Sequence, residues 1–194
     1  MSPIISTIAG ASARGYGGLG ASVSTTVVGS YDLIQTVVAS GSDTYFDFTA
    51  IPQTYNYLEL RGFGSNNTGS YANIAVRMNS DAGSNYYNKW AVSNANNLSS
   101  AAYNASEMSG VQSFPIGTQM GIAVITIFDY TSSSKLKGMT HYGGASQPSS
   151  SVGEVSYGNG QWASTAPITA IRVLNSGNPT WTAGTTFSLY GIGA

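Results

Sequence analysis

The sequence predicts an all-β fold, a two-sheet β-sandwich of jelly-roll type preceded by an extended Gly/Ser/Ala-rich N-terminal arm, and three observations predict it. From residue 31 onward, short segments rich in Val, Ile, Tyr, Phe and Thr alternate with clusters of Gly, Ser, Asn and Pro, the punctuation of a sandwich or barrel. No stretch carries the 3.6-residue apolar period of an amphipathic helix. Roughly eight to ten such segments fall within about 160 residues, a number that two packed sheets with long end loops accommodate.

Residues 1–30 read as the arm and 31–194 as the sandwich. The arm is built of Ser, Ala, Gly and Thr, with the run Arg14-Gly15-Tyr16-Gly17-Gly18-Leu19-Gly20 in its middle, and that density of glycine penalises helix and strand alike. Its apolar residues Ile4, Ile5, Ile8 and Leu19 are candidate anchors onto a neighbouring subunit or particle; a disordered leader is the other reading. The stretch has no basic region followed by a sustained apolar one, so a signal peptide is not expected.

Within the sandwich, residues 31–39 and 43–49 form the first two expected strands. Pro52 then fixes φ and removes a ladder donor, which makes 51–55 a turn. Residues 57–63 return with Leu58 and Leu60 on one face and Glu59 and Arg61 on the other, so one face is buried and one is wet. Residues 71–78 repeat that logic with Ile74 and Val76. The run Asn79-Ser80-Asp81-Ala82-Gly83-Ser84-Asn85 is dense in residues that tolerate left-handed backbone and predicts a tight loop. A strand follows over 86–92. Residues 93–110 show no periodicity and are expected to be an exposed excursion. In 121–130, Ile122, Val124 and Phe128 share one face and Ala123, Ile125 and Ile127 the other, which predicts a central strand covered on both sides. Residues 135–142, 154–163, 168–174 and 185–192 complete the set, separated by breaker-rich stretches at 143–152 and 175–179.

Composition narrows the function. A chain of 194 residues and 20.1 kDa buries about 70% of its unfolded surface, enough for one core without disulfides. With no cysteine there is no disulfide scaffold, thiolate metal site or Cys nucleophile. Charged residues are 8% of the chain, against about 25% in an ordinary soluble domain. Seven cations against eight acids, a formal net charge of -1, cannot neutralise many phosphates, so nucleic acid and anionic membrane surfaces are not expected partners. No apolar run approaches the roughly 18 residues of a spanning helix, and membrane insertion is not expected.

Catalytic chemistry finds little footing. His141 is the only histidine, its neighbours Thr140 and Ser146 form no nucleophile elbow, and it reads as a half-exposed strand residue. Eight scattered carboxylates nominate no acid/base pair. The 79–85 run imitates a calcium loop but holds one carboxylate, so it reads as a turn. No catalytic residue, metal ligand or cofactor is expected. The surplus is aromatic: 13 Tyr, 6 Phe and 3 Trp. Core packing and subunit interfaces claim such residues, and so does glycan contact; Tyr87, Trp90, Tyr103 and Trp162 lie beside Asn, Ser and Gly and are the candidates for stacking on sugars. Loops 79–87, 93–110 and 143–152 would carry the ligand.

The stretches Tyr31–Thr36, Phe48–Arg61, Val76–Tyr86 and Trp181–Ile192 resemble, in that order, a group of tailed-bacteriophage virion proteins of the tail-fibre-like or tail-associated kind. The leader Pro3–Gly15 is similar to the start of phage fibre and tail-associated proteins. The resemblance implies a non-enzymatic structural component located in the virion, without cofactor, associated with tail, baseplate or capsid proteins and assembled as a homotrimer. It transfers no catalytic residues, and residues 93–105 depart from the family's pattern. Two alternatives stand beside it, a capsid decoration or cement protein of the same fold and a module that recognises a host surface glycan.

Overall fold

A computed structural model describes residues 31–67, 72–94, 97–115, 119–147, 152–177 and 179–193. The arm anchors Ile4, Ile5, Ile8 and Leu19 lie outside the described residues. Those residues form twelve strands and no helix: β1 Asp32–Val38, β2 Tyr45–Phe48, β3 Tyr57–Gly64, β4 Ala72–Met78, β5 Tyr86–Asn94, β6 Asn97–Ala105, β7 Met108–Phe114, β8 Gly121–Phe128, β9 Lys137–Gln147, β10 Val152–Trp162, β11 Ile171–Asn175 and β12 Thr186–Ile192.

Four antiparallel ribbons are nested in the chain, β1 with β12, β2 with β11, β3 with β8 and β4 with β7. Rolling them so that β12 also pairs β3 and β11 also pairs β4 produces β1-β12-β3-β8 in one sheet and β2-β11-β4-β7 in the other. That is a jelly-roll order, the topology type expected, although the twelve described strands exceed the eight to ten expected. Two inserted hairpins, β5–β6 and β9–β10, then extend the first sheet to eight strands, β1-β12-β3-β8-β9-β10-β5-β6. Strand β7 lies across this extension and touches β9, β10 and β5.

The core sits between the sheets. Phe187 packs against Trp181 and Phe114 with ring centroids 5.0 and 5.6 Å apart, and Phe46 closes the cluster at 6.0 Å. Gly62 makes room for it, since a Cβ there would stand 2.8 Å from the Phe187 ring. A second aromatic pair, Tyr86 and Trp162, stacks at 6.4 Å beneath the 79–85 loop. In that loop Asn79 and Ser80 adopt left-handed backbone, with φ of 50° and 60°, as the turn chemistry predicts.

Three expectations are corrected. The described residues of 93–110 are not an excursion: apart from a bend at 106–107 they are the end of β5, all of β6 and the start of β7. β6 hid because it lies at the sheet edge with almost every residue exposed, so no alternation marks it. The described residues of the breaker-rich 143–152 stretch, 143–147 and 152, are strand, with β9 running to Gln147 and β10 starting at Val152. Finally, β8 is central in its sheet but covered on one side only, because Ile122 and Phe128 stay exposed on the face turned away from the core.

The outer face of the eight-stranded sheet as candidate functional site

The period of two along each strand sends alternate side chains to the outer face, and the register aligns them in rows across the sheet. One row runs Val38, Thr186, Phe63, Ile122, Gly144, Val155, Ser93 and Leu98. Its apolar members are exposed, Val155 at 65% and Leu98 at 77%. In the adjoining row Tyr142 stands opposite Tyr157, and both are exposed. This half of the face is therefore an exposed apolar patch, a feature that soluble monomers seldom display at such width.

The other half is polar and concave. Gly138 is paired with Gln161 and Gln161 with Tyr87, while the next row sets Thr140 beside Asn159 and Asn159 beside Lys89. Phe128 on β8 and Tyr87 on β5 wall this groove, whose volume is about 670 Å³. Its floor dips at Gly138, where an added Cβ would meet nothing within 4 Å.

Charge is distributed unevenly over these residues. Arg61 bonds Glu59 at 2.7 Å between the Tyr31 and Tyr190 rings, and Arg77 bonds Glu107 at 2.9 Å. Arg172 grips Asp47 through two 2.7 Å bonds, and Lys135 approaches Asp129 at 3.4 Å. Lys137 is fully buried and donates to the carbonyls of Ser132, Lys135 and Thr165, so it clamps two loops together. Burial lowers its pKa. Among the described residues Lys89 alone is a cation with no such partner, and it lines the groove.

The four aromatic candidates separate. Tyr87 stands exposed on the groove wall. Tyr103 is also exposed and borders the groove, yet its hydroxyl is tied to Ser109 Oγ at 2.7 Å, on the side of the sheet that meets β7. Trp90 alternates with Lys89 and is half-buried, with its indole N–H enclosed. Trp162 is 3% exposed and donates to Asp81 Oδ2 at 2.7 Å, leaving no open ring face for a sugar. Of these four, only Tyr87 thus meets the groove through a free aromatic wall.

Sequence reasoning missed Phe128, Lys89, Thr140, Asn159 and Gln161. Lys89 and Gln161 each sit one residue from an inward aromatic and carry a period-two signal, but the register that unites them depends on the β5–β10 pairing.

Acid/base chemistry has little material. Asp81 accepts from Gly83 N and Asn85 Nδ2 as well as from Trp162, and these bonds, the indole's foremost, hold its carboxyl below the usual range. His141 is buried at 1% exposure rather than half-exposed as expected. A central strand covered by β7 on its inner side draws this ring into the core. Among the described residues no group of three or more His, Asp or Glu side chains is placed to hold a metal ion. Comparison with known protein families and with curated proteins finds no match for this chain.

Proposed function

We propose that the chain is a non-enzymatic structural component of a phage virion, tail- or fibre-associated, attached through residues 1–30 and assembled as a homotrimer. The observation that carries this reading is the apolar half of the outer face, where Phe63, Ile122, Val155, Leu98, Tyr142 and Tyr157 share one side of one sheet and stand exposed. Such a surface is built to be covered by protein. Low charge agrees with it, because a subunit fixed in a particle needs little repulsion to stay dispersed.

The test is particle composition. Mass spectrometry of density-purified particles should find the chain at a fixed ratio to the tail proteins, and labelled electron microscopy should place it at the tail; a capsid position would favour the decoration reading. Val155→Lys with Ile122→Lys should leave folding intact, since both sites are exposed. The double variant should not enter particles. A chain found solely in the free protein fraction, absent from particles, overturns the reading.

A further inference from the structure

We infer that the groove between Tyr87 and Phe128 binds an acidic oligosaccharide, a short run of sugars carrying carboxylates. The walls stand on β5 and β8, separated by β9 and β10, so three strand spacings set them about 14 Å apart. That distance admits a chain of several sugar rings laid across the strands, with an aromatic face at either end. The floor between them carries the Thr140 hydroxyl and the Asn159 and Gln161 amides, groups that both donate and accept as sugar hydroxyls do. None of the three is consumed by a hydrogen bond within the described residues.

Lys89 decides the charge of the ligand. Every other described cation is held by a carboxylate or by backbone carbonyls, and Lys89 is the one described cation that lines the groove. One cation beside a hydroxyl and two amides matches a uronate chain, in which a carboxylate meets Lys89 and the many ring hydroxyls meet the amides, whereas a nucleic acid has few hydroxyls to offer them and draws its affinity from several cations. The groove also crosses the strands, while an added peptide strand would run along a sheet edge. Gly138 keeps the floor low: any side chain there would rise into the space a sugar ring fills.

The full chain titrated by calorimetry with tetragalacturonate tests this inference, with maltotetraose as the neutral probe and a tetranucleotide as the nucleic-acid probe. Tetragalacturonate should bind and the other two should bind at least 10-fold more weakly. Lys89→Gln should weaken tetragalacturonate about 10-fold and abolish the preference over maltotetraose, as loss of one charge-assisted contact does. Gly138→Leu should block both sugars, and Tyr87→Ala should weaken both without changing their ratio. These positions are exposed or open on the outer face, so the thermal midpoint serves as the folding control. Equal binding of the two sugars overturns the acidic specificity, and stronger binding of the tetranucleotide overturns the saccharide. Absence of tetragalacturonate binding overturns the site while leaving the virion proposal, which is tested on particles, untouched.

Discussion

His141 shows how a single residue on the inner face couples this fold to pH. Its ring lies against Gly158, where an added Cβ would stand 2.5 Å from Nε2, and neither ring nitrogen has a hydrogen-bond partner. Burial pushes its pKa down to about 4, from 6.5. The folded state keeps the ring neutral, so acid favours the unfolded chain, which takes up the proton. This group therefore contributes nothing unfavourable above about pH 6.5, costs progressively more between 6.5 and about 4, and changes little below that. The loss across that window is about 3 kcal/mol. Asp81 acts lower on the scale: its carboxyl is held below 3.8, so its contribution persists above that value and disappears as pH falls further. Urea midpoints measured from about pH 7.5 down to about pH 4.5 should decline in the wild type and stay level in His141→Leu; a level wild-type profile would show that the ring is reached by water. The sequence could not announce this burial, because β9 and β10 invert the usual pattern. Glu154, Ser156, Gly158, Gly160 and Trp162 face inward while Val155 and Tyr157 face out. Small inward residues make room for β7, and a Cβ at Gly160 would come within 2.7 Å of Met108. A reader of hydropathy alone assigns the faces the wrong way round, and the neighbouring Asn159 and Gly160 that suggested a sugar contact for Trp162 do not reveal that its ring turns inward.

Of the four edge strands among the described residues, β1, β6, β2 and β7, β6 is the longest. It ends the eight-stranded sheet, pairs only β5 among the described residues, runs nine residues and contains neither a charge nor a proline. The opposite edge, β1, carries Asp32 and a register shift between Leu33 and Gln35, the devices that natural sheets use to discourage pairing. Under the proposed virion role, strand addition by a neighbouring subunit is predicted at this bare edge. Ser100→Lys with Ala102→Lys should raise the concentration at which the chain self-associates at least 10-fold in sedimentation velocity. Stability should move by no more than about 0.5 kcal/mol, because both positions are exposed. Unchanged association would move the contact to the apolar patch instead. The strands with a buried face were legible: Leu58 and Leu60, or Ile74 and Val76, alternate with polar partners and fix their strands from sequence alone. β6 was not, since an edge strand of Asn, Ser and Ala buries nothing that could set a period. A jelly roll was expected because it accommodates eight to ten strands with long end loops, and the nested order is of that type, but the two inserted hairpins that bring the described strands to twelve rest on the pairing of β10 with β5, which no local signal encodes.

At the scale of the whole molecule, the nested ribbons and the inserted hairpins make one sheet twice as wide as the other, eight strands against four. The extra width is what allows two unlike surfaces on one outer face, an apolar patch around Ile122 and Val155 and a polar groove around Lys89. They should answer salt in opposite ways. Attraction between an exposed ammonium and a carboxylate is screened over a Debye length that shrinks from about 14 Å near 0.05 M to about 3 Å at 1 M. Burial of apolar area is not screened and is strengthened by sulfate. With few charges and a net of -1, the chain adds little long-range repulsion that salt could relieve. Sedimentation equilibrium should therefore give the same assembled mass, three times the 20.1 kDa chain, at low and high sodium chloride, while binding of an acidic oligosaccharide falls at least several-fold over that range. Ammonium sulfate should tighten the assembly at the same concentrations that weaken the sugar. An assembly that dissociates in high salt would place its contacts on ion pairs between subunits and away from the apolar patch. A monomer at micromolar concentration under every condition would confine assembly to the particle.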